Sequence, residues 1–212
     1  MDFISSFEIL IKNILNKYNS LESNALLLIG GCSRSGKTTL SKKIAHQLNK
    51  NDINSIVVNI DSWIISIEKR KIDSKVMDRF ECNEIIKSIN LLLNEEKVYP
   101  PIYDPITRTR SAEKNADYYY LEKGVLIVEG VIVIALKELL EKSLYSIFVD
   151  ISDEKRLKRL YDFYRKVKGL SERQTNNIIL SREKEEVLFI KKHSKNASCI
   201  YNLDIDNNRE NI

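Results

Sequence analysis

With 212 residues, 30% of them charged and 43% hydrophobic, the chain has the size and balance of a single α/β domain that builds its own core. Its net charge of +4 is spread over 34 basic and 30 acidic side chains, which argues against a nucleic-acid partner or a membrane surface. Cys32, Cys82 and Cys199 form no CxxC or metal-ligand spacing, and no stretch reads as a signal peptide or a membrane span, so a cytoplasmic location is expected; self-association into a homo-oligomer is left open.

In chain order, Phe3, Phe7, Leu10, Ile11, Ile14, Leu15 and Tyr18 recur at helical spacing, so residues 1–20 are expected to supply an extra helix covering one edge or face of the domain. The apolar run 25–29 reads as a buried strand. Directly after it, Gly31-Cys32-Ser33-Arg34-Ser35-Gly36-Lys37-Thr38 fits G-x-x-x-x-G-K-[ST], and Leu40, Ile44 and Leu48 form the stripe of the next helix. Strand, glycine-bearing loop and helix N-terminus together capture phosphate: backbone N–H groups turn inward and the helix adds its positive end. Gly31, Ser33, Arg34, Ser35, Gly36, Lys37, Thr38 and Thr39 are therefore the expected ATP contacts, with Lys37 on the β- and γ-phosphates and the Thr38 hydroxyl on Mg²⁺. Cys32 inside the loop reads as a small residue in a tight turn; its oxidation would block the nucleotide.

Residues 55–60 read as a second strand that delivers Asp61 at its end, where α/β sheets place their ligands. Asp61 could accept a proton from a substrate hydroxyl, help hold Mg²⁺, or cap the segment after it. Residues 65–82 are polar and irregular, and 83–93 form a helix. All three prolines fall between residues 99 and 110, which excludes a regular helix there and predicts a rigid arm carrying Tyr103, Asp104, Arg108 and Arg110. Residues 125–128 read as a central strand ending in Glu129, an acid placed for Mg²⁺. A further strand over 144–149 ends in Asp150. Two basic helices then meet near Gly169, the second opened by Ser171 and Gln174 as a capping box. Residues 152–192 are read as a helical lid that swings arginines over the phosphates, followed by a short strand over 197–203 and a polar tail over 204–212.

Four segments resemble the uridine kinase/phosphoribulokinase family of P-loop kinases, in the same order: Gly-Gly-Cys-Ser-Arg-Ser-Gly-Lys-Thr-Thr at 30–39, Ile-Asp-Ser-Trp at 60–63, Tyr-Asp-Pro-Ile-Thr-Arg-Thr-Arg at 103–110 and Ile-Val-Glu-Gly at 127–130. The resemblance implies a P-loop NTPase fold, a parallel β-sheet with helices on both faces and a helical lid. It implies Mg²⁺-dependent transfer of phosphate from ATP to an alcohol, most nearly that of a nucleoside. It also implies Asp61 as the catalytic base beside Lys37, Glu129 with Thr38 on the metal side, and Tyr103, Arg108 and Arg110 of the arm at the acceptor. Arg165 or Lys168 would clamp the phosphates. The chain departs from uridine kinases in carrying Arg108 where their arm has His and in lacking their Phe-Asp-His-Pro segment near 74–77; Asp73 and Asp78 lie close by. Arg108 suits an anionic or carboxylate-bearing acceptor. The rival readings are a kinase for a pantothenate-, nicotinamide riboside- or sugar phosphate-like acceptor, and a nucleotide-binding protein without chemistry. No Asn-Lys-x-Asp segment supports a GTPase switch.

Overall fold

The computed structural model describes residues 2–4, 6–19, 21 and 23–207. In chain order these form β1 (Asp2–Ile4), α1 (Phe7–Tyr18), β2 (Ala25–Gly31), α2 (Lys37–Asn49), β3 (Ser55–Asn59), α3 (Cys82–Leu93), β4 (Pro101–Asp104), β5 (Thr109–Lys114), β6 (Val125–Glu129), α4 (Lys137–Lys142), β7 (Tyr145–Asp150), α5 (Asp153–Asp162), α6 (Glu172–Arg182), α7 (Leu188–Ser194), β8 (Cys199–Asn202) and α8 (Leu203–Asn207). Six strands pair in the order β1-β8-β7-β2-β6-β3, every pair parallel.

Alternation along the central strand builds both halves of the core. Leu26 and Leu28 of β2 face Ile85, Ile89 and Leu92 of α3 and the segment around Ile132–Ile134, whereas Leu27 and Ile29 join Leu10, Ile11 and Ile14 of α1 and Leu40, Ile44 and Leu48 of α2. A strand buried on both faces must be apolar throughout, which is why β2 and β6 read as unbroken hydrophobic runs. Each such Leu or Ile contributes about 1.5–3 kcal/mol by leaving water.

The structure corrects several expected boundaries. The N-terminal helix begins at Phe7; residues 2–4 instead pair with β8 as an edge strand, and Phe3 is exposed while Ile4 is buried. The proline-bearing arm is an antiparallel hairpin of β4 and β5, with Pro101 at the first position of its strand, where a missing N–H is tolerated. Its turn is built by Asp104, whose carboxylate accepts from the Ile106 and Thr107 N–H groups and the Thr107 hydroxyl. Residues 60–80 form three short 3₁₀ turns that bury Trp63, Val76 and Phe80. In the lid, α5 runs on through a π-helical turn (Phe163–Val167), Gly169 adopts φ of 64°, and the Ser171–Gln174 capping box opens α6. A second π-helical turn (Glu183–Val187) joins α6 to α7. The expected polar tail begins as α8, and residues 208–212 lie outside the described residues. Among the described residues no helix is long and apolar enough to cross a membrane.

Candidate active site

The loop between β2 and α2 turns on two glycines. Gly31 has φ of 147°, and a β-carbon there would lie 2.5 Å from the Val149 carbonyl oxygen; Gly36, at φ of 102°, is the N-cap of α2. Lys37 folds back over the loop and donates to the Cys32 carbonyl at 2.9 Å. Ser35 Oγ is buried beneath the loop without a partner among the described residues. Burial pushes the Cys32 thiol up to about 11, so it is a neutral side chain at physiological pH.

Parallel register brings the strand tips together at this loop: Glu129 pairs with Ile29 on one side and Asn59 on the other. The Glu129 carboxylate accepts from Thr38 Oγ1 at 2.7 Å and from Asn59 Nδ2 at 2.9 Å. It is 2% exposed, and burial raises its pKa, opposed by the Thr38 hydrogen bond and Lys37. A buried acid joined to the loop threonine and lacking an ion pair among the described residues fits a hard divalent cation. Among the described residues no cluster of three or more acidic, His or Cys side chains could hold a metal ion by itself, so phosphate and water would have to complete the shell.

Asp61 stands just beyond β3, in the 3₁₀ turn Ile60–Trp63. Capping there falls to Asn59, whose side chain accepts from the Asp61 N–H at 2.7 Å, so the Asp61 carboxylate is left to the cleft. Desolvation by the surrounding walls raises its pKa, with Glu186 adding to the rise and Lys37, Arg182 and Arg34 opposing it. The carboxylate nevertheless meets water in the open cleft, which limits that shift.

The cleft measures about 1520 Å³. Of the residues expected from the sequence, it brings together Ser33, Arg34, Gly36, Lys37, Thr38, Thr39, Asp61, Tyr103, Arg108 and Glu129 along one wall-to-wall space. Four expected residues stand elsewhere. Gly31 and Ser35 belong to the loop itself but do not line the cleft, the Ser35 side chain being buried. Arg110 turns away from the cleft to Glu84 at 2.7 Å and Glu81 at 3.7 Å, fixing the hairpin to α3. Arg165 is exposed and donates to the Leu170 carbonyl, closing the lid turn.

The lid side chains that do face the cleft include Arg159, Lys168 and Arg182. Lys168 donates to the Pro105 carbonyl of the arm, and Arg34 stacks on Phe163, 3.7 Å from the ring centroid. Arg182 and Glu186, one turn apart at 3.6 Å, both reach the phosphate loop: Arg182 donates to Ser33 Oγ at 3.3 Å and Ser33 donates to Glu186 at 2.8 Å. The sequence reading did not single out Asn59 or Glu186, and it carried Arg182 only as one of the basic residues of the second lid helix. The one available signal was the Arg-to-Glu spacing of four on the second lid helix, which marks a shared face but not what it faces.

Three comparisons bear on this arrangement. A family model described as chromatin associated protein KTI12 matches residues 24–111, from the strand before the loop through the arm. A uridine kinase of Lactobacillus helveticus is 29% identical over 157 residues, covering 71% of this chain and 72% of the relative. A uridine kinase of Staphylococcus carnosus is 32% identical over 142 residues, covering 64% of this chain and 67% of the relative. In structure, a Silicibacter sp. TM1040 protein described as a fructose transport system kinase superposes with a TM-score of 0.73 at 19% identity, over 91% of this chain and 97% of that one, which shows a shared fold. The sheet order, the loop and its flanks are those of the P-loop NTPase fold.

Proposed function

The chain belongs to the uridine kinase family of P-loop kinases, and from that premise we propose that it transfers the γ-phosphate of Mg²⁺·ATP to a hydroxyl of a nucleoside-like or other sugar-like acceptor. The observation that carries this reading is the convergence of Lys37, the Thr38–Glu129 pair and an Asp61 carboxylate without a hydrogen-bond or ion-pair partner among the described residues on one cleft large enough for nucleotide and acceptor.

In this reading the loop N–H groups and Lys37 hold the β- and γ-phosphates, Lys37 exchanging the Cys32 carbonyl for phosphate oxygen. Thr38 and Glu129 would hold Mg²⁺, which when bound offsets charge on the phosphates. Asp61 orients the acceptor O–H. The acceptor oxygen forms the new P–O bond as the bond between the γ-phosphorus and the β,γ-bridging oxygen breaks; the hydroxyl proton passes to Asp61 and ADP leaves with the bridging oxygen. Arg34 and Arg182 supply positive charge on the lid side, and the lid excludes water, so that the alcohol is phosphorylated in its place.

The test is acceptor-dependent ADP release over a panel of nucleosides, nicotinamide riboside, pantothenate and sugar phosphates, with Asp61→Asn as control. We expect one acceptor to lift the rate far above hydrolysis, and Asp61→Asn to lower that rate by about 10² or more with ATP affinity retained. Full turnover in Asp61→Asn would remove the base; ATP binding without stimulation by any acceptor would favour a nucleotide-binding protein without chemistry.

A further inference from the structure

The cleft carries more positive charge than a nucleotide and its own acids account for. At the loop end stand Lys37, Arg34, Arg159 and Arg182, the last already matched by Glu186. These cations suffice for a triphosphate. A second group lies toward the arm: Arg70 and Arg108, with Tyr103 beside them. Arg70 donates to the Ile65 carbonyl at 2.8 Å and approaches the Tyr103 hydroxyl at 3.4 Å. Neither arginine forms an ion pair among the described residues, whereas neighbouring Arg79 has Glu185 at 2.6 Å.

Free surface arginines are commonplace because water solvates them. Arg70 is different because it is half-buried, and the exposed Arg108 lines the same cleft. Desolvation is the largest influence on Arg70 and lowers its pKa; Tyr103 opposes it, and weaker repulsion from Arg108 and Arg79 adds to the lowering. Lys168, at the junction of lid and arm, is lowered first by desolvation and then by Arg108, Arg182 and Arg34. Asp104 is the acid that opposes this, and its oxygens are already taken by Ile106 and Thr107.

The backbone also holds Arg108 in place at a cost. Its φ is 62°, a left-handed conformation that Gly or Asn adopts more readily, and it is pinned on both sides: its N–H donates to the Asp104 carbonyl at 2.8 Å and its carbonyl accepts from the Ile67 N–H at 2.9 Å. The turn thus fixes an arginine at the cleft, beside another arginine, with no carboxylate paired to either among the described residues.

Resting on the kinase reading above, we infer that the acceptor alcohol itself bears an oxyanion, a carboxylate or a phosphate, and that Arg108 with Arg70 binds it. A guanidinium pair on one cleft, with Arg70 half-buried, matches the planar, two-oxygen face of such a group. Their role is to orient the acceptor and to select against neutral alcohols.

The experiment compares acceptors that share a skeleton and differ in charge: glycerol with D-glycerate, ribose with ribose 5-phosphate, and uridine as the neutral nucleoside. Binding is measured by calorimetry with Mg²⁺ and a non-hydrolysable ATP analogue present, and turnover by ADP release. We expect at least one charged member to exceed its neutral partner by about 10-fold or more in affinity, the range of a charge-assisted hydrogen bond. Arg108→Gln should abolish that preference and Arg108→Lys should keep part of it, with ATP affinity within about twofold in both. Preference for D-glycerate or for ribose 5-phosphate tells carboxylate from phosphate. Uridine or a neutral sugar binding better than every charged probe overturns the inference and leaves the kinase standing. Charged probes that bind through Arg108 but are never phosphorylated keep Arg108 as an oxyanion site and overturn the kinase reading. Loss of ATP affinity in Arg108→Gln, with the charge preference intact, assigns Arg108 to the nucleotide and overturns it as well.

Discussion

Replacing Arg156 by Met tests whether the basic face of the first lid helix clamps phosphate or holds the lid together. Arg156 is 2% exposed, and its Nη2 donates to both carboxylate oxygens of Glu183 at 2.8 Å and to Asp153 at 3.2 Å. It therefore ties α5 to the π-helical turn that carries Glu186 against Ser33. Breaking a fully buried pair costs about 3–5 kcal/mol because a partner charge is left stranded. Here Glu183 and Asp153 are 29% and 52% exposed, so water recovers part of that. A loss of about 2 kcal/mol is the expected middle, between the buried figure and the roughly 1 kcal/mol ceiling of surface pairs. For a chain of this size that corresponds to a fall in Tm of about 4–8 °C. Calorimetry at fixed ionic strength reads the Tm, and amide hydrogen exchange reads whether residues 183–194 open more often. A Tm within about 1 °C of the parent and unchanged exchange would refute the strut, and a large loss of nucleotide affinity alone would make Arg156 a phosphate ligand instead.

Two further outcomes follow from the same geometry. Burial raises the Glu129 pKa, so the folded state binds more protons than the unfolded one between the ordinary carboxylate range and the raised value; stability in EDTA should fall as pH rises through that window. Glu129→Gln should remove this slope, keep or raise the nucleotide-free Tm near pH 7, and weaken the Mg²⁺ dependence of nucleotide binding by about 10-fold or more; a lower Tm across the whole range would contradict it. Cys32, buried and with its thiol pushed up to about 11, should react with a disulfide reagent at pH 8 in the folded protein more slowly than half-buried Cys82, whose thiol burial also raises, as followed by thiol release and peptide mapping. Rapid modification of Cys32 with loss of ATP binding would show the opposite.

What was legible in the sequence was what is decided locally. The loop motif fixes its own turn, its glycines and the helix behind it, and the apolar runs at 25–29 and 125–128 announce strands buried on both faces. The edge strand at residues 2–4 was not legible, because Phe3 happens to fit the helical stripe of α1 and the pairing partner Ile200 lies at the far end of the chain. The arm was foreseen as rigid but not as a hairpin, since its prolines argue against strands while Pro101 occupies the one strand position that accepts them. Asp61 was placed correctly at the sheet's carboxyl edge, yet its freedom from capping depends on Asn59, whose side chain serves both Asp61 and Glu129.

The lid shows why charge patterns alone could not say which base does what. Arg156, Arg159, Arg165, Lys168 and Arg182 are equivalent as letters, each a cation on a predicted helix. Their fates divide by the acids and carbonyls that the fold brings near. Arg156 is taken by Glu183, 27 residues on, and by Asp153. Arg165 is spent on the Leu170 carbonyl across the turn that Gly169 makes. Arg182 keeps its face to the cleft because Glu186, four residues later, holds it there through Ser33 instead of drawing it into the lid's interior. A cation whose carboxylate partner itself touches the phosphate loop stays available to a phosphate, since exchanging one anion for another costs far less than desolvating a bare charge. That asymmetry, set at Arg182 and Glu186 by contacts with Ser33 more than a hundred residues away in the chain, is what separates the lid's struts from a cation kept at the cleft.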